Sequence, residues 1–197
     1  MANLGTQFYR LTVSQYHEMI DNGILTEGEP YELIDGYIVR KDRSAAGEDP
    51  MTVGNHHSWV VQKLIRLNGK LDEFGCHIRI QQPISLPPRH EPEPDAAIVV
   101  GTEDSYRNRK PRAKDALCVI EVADASVKYD QKEKLRVYAS NGIKCYVIIN
   151  LMDRIIELYT EPSRRKGEYA RSTTLRSGQN LQLPVKGERH LSVPVRT

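Results

Sequence analysis

Apolar residues recur at helical spacing from His56 to Phe74, where Val60, Leu64, Leu67, Leu71 and Phe74 fall on one stripe and Gly75 ends the run. The pattern predicts one long amphipathic helix. Asp130 to Asn141 predicts a second helix, with Gly142 placed for a left-handed cap. Nearer the start, Thr12-Val13-Ser14-Gln15 has the form of a capping box, and the residues up to Asn22 fit a short helix stopped by Gly23. Tyr31 to Val39, with Asp35-Gly36 at its centre, predicts a hairpin whose tight turn uses two positive-φ residues. Cys76 to Leu86 alternates well enough for a strand. Ala96 to Val100 and Leu117 to Ala123 are almost continuously apolar, as central strands covered on both faces are. Lys144 to Leu151 and Arg154 to Thr160 predict an antiparallel pair joined at Met152-Asp153.

Between these elements, the polar stretch from Lys41 to Asn55, with Gly47, Pro50 and Gly54, reads as a loop that could act as a lid or recognition loop. Pro87 to Pro94 is proline-rich and cannot be helical. Beyond Glu161 the chain is basic at Arg164-Arg165-Lys166 and then weakly strand-like. A length of 197 residues suits one α/β domain, 1–197, with a core over about 11–160 and an extension over 161–197. The expected fold is a mixed β-sheet flanked by helices, with an N-terminal hairpin.

A net charge of +2 is compatible with nucleic acid but far from the footprint of a dedicated binder, so charge alone decides little. Three cysteines without a Cys-x-x-Cys pair argue against a disulfide framework or a cysteine zinc site and point to a reducing cytoplasm. The start lacks a basic region followed by an apolar stretch. No apolar run approaches the ~20 residues that span a bilayer, so a soluble protein that is not exported is expected. No glycine-rich phosphate loop supports nucleotide binding.

Glu121 stands inside the apolar run Leu117 to Ala123. A buried, ionised carboxylate is costly unless a cation compensates it, so the position implies a metal ion or a Lys or Arg. Asp95 follows Pro94 at the head of the Ala96 to Val100 run, and a Pro-Asp pair followed by a Glu in the next strand is how many phosphodiesterases hold a divalent metal. Asp130 and Lys134 are four residues apart on a helix, a spacing that by itself fits a solvated ion pair. His57 borders the apolar helix stripe and reads as a packed histidine rather than a ligand. Arg107, Arg109, Lys110, Arg112 and Lys114 form a run with no acid, either solvated or in contact with phosphates.

Tyr31-Glu32-Leu33-Ile34-Asp35-Gly36, His57, Gln82-Pro83, Pro94-Asp95, Ile120-Glu121-Val122, Asp130 and Lys134 with Tyr138-Ala139, and Gly142 before the Tyr146 strand occur in an order that resembles the PD-(D/E)XK nuclease superfamily. More narrowly, the chain resembles the Uma-type family of restriction-endonuclease-like proteins, over about Leu11 to Thr160. The resemblance implies a restriction-endonuclease-like sheet and Mg²⁺-dependent hydrolysis of DNA phosphodiesters, with Mn²⁺ as a substitute ion. RNA stays open as a substrate. Asp95 and Glu121 would be the metal ligands, joined by the backbone carbonyl of Val122, and Glu32 an outer or second-metal acid. The superfamily places a lysine two residues after this Glu, where Ala123 stands. The narrower resemblance moves it to Lys134, with Lys128 as the substitute. The basic run Arg107, Arg109, Lys110 and Arg112 would contact DNA, and cutting both strands implies a homodimer. The alternative is a nucleic-acid-binding or scaffold module that keeps the fold without turnover.

Overall fold

A computed structural model of the chain describes residues 8–26, 28–40, 54–124 and 126–195. The expected lid or recognition loop lies outside the described residues, apart from Gly54 and Asn55. Helix α1 (Val13–Asp21) is closed by the predicted capping box, in which Thr12 accepts the Gln15 N–H and Gln15 reaches back to Thr12. The hairpin β1 (Tyr31–Ile34) and β2 (Tyr37–Arg40) turns at Asp35 (φ 52°) and Gly36 (φ 79°). A Cβ at Gly36 would come within 2.7 Å of the Arg10 Cβ and 2.9 Å of the Leu11 carbonyl, so the turn fits against the chain ahead of α1 only as glycine.

The long helix expected from His56 to Phe74 is instead two, α2 (Asn55–Ile65) and α3 (Asn68–Asp72). At the break the Arg66 and Leu67 N–H groups bond three residues back, and the Asn68 side-chain oxygen accepts the Ile78 N–H at 3.0 Å. That polar tie to the neighbouring strand is absent from the apolar periodicity. The strand expected to run to Leu86 ends early, as β3 (Cys76–Ile80), because Gln81 takes φ 47° and turns the chain.

Strands β4 (Ala96–Val100), β5 (Ala116–Ala123), β6 (Cys145–Asn150), β7 (Ile155–Ser163) and β8 (Glu168–Leu175) join β3 in one sheet of order β3-β4-β5-β6-β7-β8. β5 and β6 pair in parallel and the other neighbours antiparallel. The parallel pair needs a crossover, which a helix provides. Its segments Val127–Tyr129, Asp130–Lys134 and Leu135–Ser140 run on from one another and together form α4. The middle segment is a π turn, in which the Leu135 N–H bonds the Asp130 carbonyl five residues back. The helix therefore starts before the expected Asp130 and carries one wider turn.

Alternate residues of the sheet serve two layers. Ala97, Val99, Val119, Ala123, Tyr146 and Ile148 pack under α4 and the hairpin, against Val137, Tyr138 and Ile34. Ala96, Ile98, Cys118, Ile120, Cys145 and Val147 pack on the other side against Leu71 of α3 and against Leu181, Leu183 and Val185. The last three belong to β9 (Asn180–Val185), which forms a hairpin with β10 (Arg189–Pro194). The segment after Glu161, expected as an extension outside the core, thus supplies the sixth strand and part of one core layer. The three cysteines are free thiols. No helix among the described residues is long and apolar enough to cross a membrane.

Candidate active site

The antiparallel register that pairs Ala96 with Ile120 sets Asp95, one residue ahead of β4, opposite Glu121. Side chains directly opposite on such strands share a face. Here it is the α4 face, since Val119 and Ala123 on either side of Glu121 belong to the layer under α4. The two acids are tied across the strands through backbone N–H groups. The Asp95 N–H donates to Glu121 Oε2 at 3.3 Å, and the Val122 N–H donates to Asp95 Oδ2 at 2.9 Å. This cross-bonding fixes both carboxylates at one rim of the sheet.

From α4, the Lys134 ammonium donates to Glu121 Oε1 at 2.9 Å and lies 3.2 Å from Glu32 Oε1 of β1. The Tyr138 hydroxyl, one turn on, donates to the same Glu121 oxygen at 2.8 Å. Lys134 is 5% exposed and Glu121 and Glu32 are 2% exposed, so this is a buried ion triad rather than a solvated pair. Burial works against the ammonium, but the charges of Glu121, Glu32 and Asp130 outweigh it and hold the Lys134 pKa well above the ordinary lysine value. Burial, with Glu121 and Glu32 adding to it, pushes the Tyr138 hydroxyl up, so Tyr138 stays a donor. Asp130 is also buried and accepts from the Ser126 hydroxyl at 2.7 Å. Burial raises its pKa, and Lys134 opposes the rise.

Two further groups sit here that the sequence alone did not place in the site. His57, in the first turn of α2, has Nε2 3.1 Å from Asp95 Oδ2, and its buried Nδ1 has no hydrogen-bond partner. The apolar stripe beside it predicts a packed histidine, because periodicity cannot tell an inward histidine from one that meets a strand head. The Tyr129 hydroxyl is also buried without a hydrogen-bond partner. Burial, then Glu32, push it up to about 12 against the pull of Lys134. It stands between Lys128 and Asp130 in a polar stretch, and nothing in that stretch singles it out. Lys128 is exposed and Lys134 is buried among the acids, so of the two lysines the structure brings Lys134 to the carboxylates.

The basic run sits elsewhere. It lies in the connection between β4 and β5, where the Ser85 N–H bonds the Pro111 carbonyl. Two of its cations are already engaged. Arg109 donates to Asp115 at 2.7 Å with its guanidinium 4.7 Å above the Tyr106 ring. Lys110 donates to buried Glu91, which also binds His17 at 2.8 Å. Arg107, Arg112 and Lys114 are exposed.

Among the described residues no three His, Cys, Asp or Glu side chains converge into a ready-made metal cage. What the rim offers instead is oxygen donors and an excess of negative charge. Asp95, Glu121, Glu32 and Asp130 are all buried there, with the buried ammonium of Lys134 among them.

The sequence profile of the Uma2 family, described as "Putative restriction endonuclease", matches residues 13–194. The match extends through β8, β9 and β10, past the Thr160 limit of the resemblance read from the sequence. Among solved structures, a protein from Anabaena variabilis, titled as a putative nuclease belonging to DUF820, superimposes with a TM-score of 0.62. It is 16% identical, and the alignment covers 92% of this chain and 94% of that one. At that identity the likeness establishes the fold, a nuclease-type mixed sheet flanked by helices. No curated protein matches the chain.

Proposed function

The chain belongs to the Uma2 family of nuclease-like proteins, and from that premise we propose that it hydrolyses DNA phosphodiester bonds with the help of Mg²⁺, with Mn²⁺ as a working substitute. The observation that carries this reading is the convergence of Lys134 with Glu121 and Glu32 at the rim where Asp95 and Glu121 are cross-bonded.

The donor chemistry fits the ion. Mg²⁺ prefers oxygen, keeps several waters and is commonly held by one or two carboxylates plus substrate phosphate, so a complete protein cage is not required. The net negative charge of the rim is what a divalent cation would offset. Asp95 and Glu121 would hold it, with the Val122 carbonyl as a third oxygen and Glu32 as the supporting acid. When bound, the ion supplies charge neutralisation at the phosphoryl oxygens and a water of lowered pKa.

The chain's own residues do the rest. Lys134 holds a positive charge beside the carboxylates, where it can orient the attacking water and face the charge that grows on the phosphoryl oxygens. Tyr138 fixes the orientation of Glu121, and His57 that of Asp95. Tyr129 keeps its proton to well above neutral pH and can donate to a substrate oxygen. Arg107 and Arg112 are the exposed candidates for phosphate contacts, whereas Arg109 and Lys110 would first have to leave Asp115 and Glu91. Cutting both strands of a duplex would use two such sites, hence a homodimer.

The test is Mg²⁺-dependent cleavage of plasmid DNA, with RNA as a parallel substrate, alongside calorimetry with Mn²⁺. The expected result is cleavage by the wild type, and loss of both cleavage and Mn²⁺ heat in Asp95→Ala. Absence of both signals in the wild type overturns the reading. One observation favours the alternative of a binding module without turnover. Glu121 Oε1 already holds Lys134 and Tyr138, so an ion must compete with them. DNA binding without Mn²⁺ heat would select that alternative.

A further inference from the structure

One surface next to the rim has no structural role in either core layer. On α2, His56, Trp59, Lys63 and Arg66 are all exposed, and their spacings of three, four and three residues put them within about 80° of one helical face. Trp59 is 51% exposed. The Lys63 ammonium lies 3.5 Å from the centre of its ring, and the His56 ring is 5.9 Å away. From Gly54 to Leu71 the sequence contains Lys63, Arg66 and Lys70 and no acidic residue. The opposite side of the same helix buries Val61 and carries His57 to Asp95. An exposed indole flanked by cations, on the helix whose first turn touches a candidate metal ligand, suits an occupant that is both flat and anionic.

We propose that this outer face of α2 binds a single-stranded segment of nucleic acid, with one unpaired base stacked on Trp59 and neighbouring phosphates on Lys63 and Arg66. The proposal rests on the nuclease reading and adds to it a binding site for unpaired nucleotides beside the candidate active site. Bases inside a duplex are stacked on each other and cannot offer a face to an indole, whereas unpaired bases stack on aromatic side chains almost regardless of sequence. Cations interleaved with the aromatic follow the backbone. The stripe from His56 to Arg66 is about 15 Å long, enough for a short run of nucleotides leading over the start of α2 towards Asp95. The Arg107 to Lys114 run, at the far end of β4 and β5, offers no such exposed aromatic among its cations.

Trp59 is the chain's sole tryptophan, so its emission reports on this face alone. Binding of labelled oligothymidylate and oligouridylate to the full chain, in EDTA to block turnover, is followed by anisotropy and by tryptophan emission, with a duplex of equal length in parallel. The expected result is quenching by the single strands, with either sugar supporting the surface, and weaker binding of the duplex with unchanged emission. Trp59→Ala should weaken single-strand binding on the order of ten- to a hundredfold, and Trp59→Phe should restore part of it. Lys63→Ala with Arg66→Ala should lower the salt slope by roughly 0.7 for each phosphate no longer neutralised. Because these side chains are exposed, circular dichroism should stay that of the wild type. Strands that bind without quenching, or bind Trp59→Ala as tightly as the wild type, overturn the surface while Asp95-dependent cleavage leaves the nuclease reading standing. A duplex that quenches equally overturns the single-strand assignment. Absence of binding together with absence of cleavage removes both.

Discussion

At the scale of single residues, the site is governed by how one ammonium is shared among several acids. Lys134 lies within 2.9 Å of Glu121 and 3.2 Å of Glu32, so its removal leaves two buried carboxylates facing each other. Lys134→Ala should cost about 3–5 kcal/mol of stability in denaturant melts, as broken buried ion pairs do. Added Mn²⁺ should restore more stability to this variant than to the wild type, because a cation replaces the lost charge. Cleavage should fall by roughly a hundred- to a thousandfold while Mn²⁺ binding persists. A variant that cuts at the wild-type rate removes Lys134 from the chemistry. Asp130 adds a pH signature. Its folded pKa is raised, so the native state holds the proton more tightly than the unfolded chain does. The contribution of Asp130 to stability is therefore greatest below the ordinary aspartate value and is lost as pH rises through the raised pKa. Asp130→Asn should lack that decline and so be at least as stable as the wild type at neutral pH, and melts across the carboxylate range would measure it. Glu121 and Asp95 were legible in the sequence because a charged residue interrupts or heads an apolar run. His57 and Tyr138 stand among the motif residues without a role in the site attached to them, and Tyr129 does not stand out at all, since periodicity and spacing do not mark which buried hydroxyl or imidazole ends beside a carboxylate.

At the scale of elements, close approach decides more than propensity. The Gly36 turn seats against Arg10 and Leu11, and its carbonyl accepts the Leu11 N–H at 2.9 Å. Gly36→Ala should destabilise the protein by more than about 1 kcal/mol, through both the positive φ and the 2.7 Å clash, and a lowered melting temperature would register it. The sequence revealed this hairpin, the first helix and the central strands because turn chemistry, capping and apolar runs are local. It missed the break between α2 and α3 and the early end of β3. Those boundaries are set by Asn68 reaching Ile78 and by the left-handed backbone of Gln81, interactions and angles that hydrophobic periodicity does not encode.

At the scale of the whole molecule, the last strands are integral to the sheet. β8 pairs with β7 over most of its length, yet most of its residues are exposed and polar, as suits an edge strand, so its sequence shows little alternation. β9 alternates cleanly, with Leu181, Leu183 and Val185 buried against the core. A chain ending at Thr160 should therefore fail to show a cooperative thermal transition, whereas one ending at Val195 should melt as the full chain does. Electrostatics at this scale is testable too. Arg107→Ala combined with Arg112→Ala should lower the salt slope of duplex binding by roughly 0.9 for each phosphate that the two arginines neutralise, and an unchanged slope would return that loop to solvent.

The π turn of α4 acts as a phase corrector. In an uninterrupted α-helix, positions four apart drift by about 40°, so Asp130, Lys134 and Tyr138 would fan out over about 80° of the face turned towards β5. The wider turn from Asp130 to Lys134 advances less per residue and takes back part of that drift, which lets all three be buried along one line above β5. Deleting exposed Lys132 would return the helix to a single phase and set Asp130 three residues before Lys134, turned from it by about 60° on the helical wheel, while every side chain of the site remained in the chain.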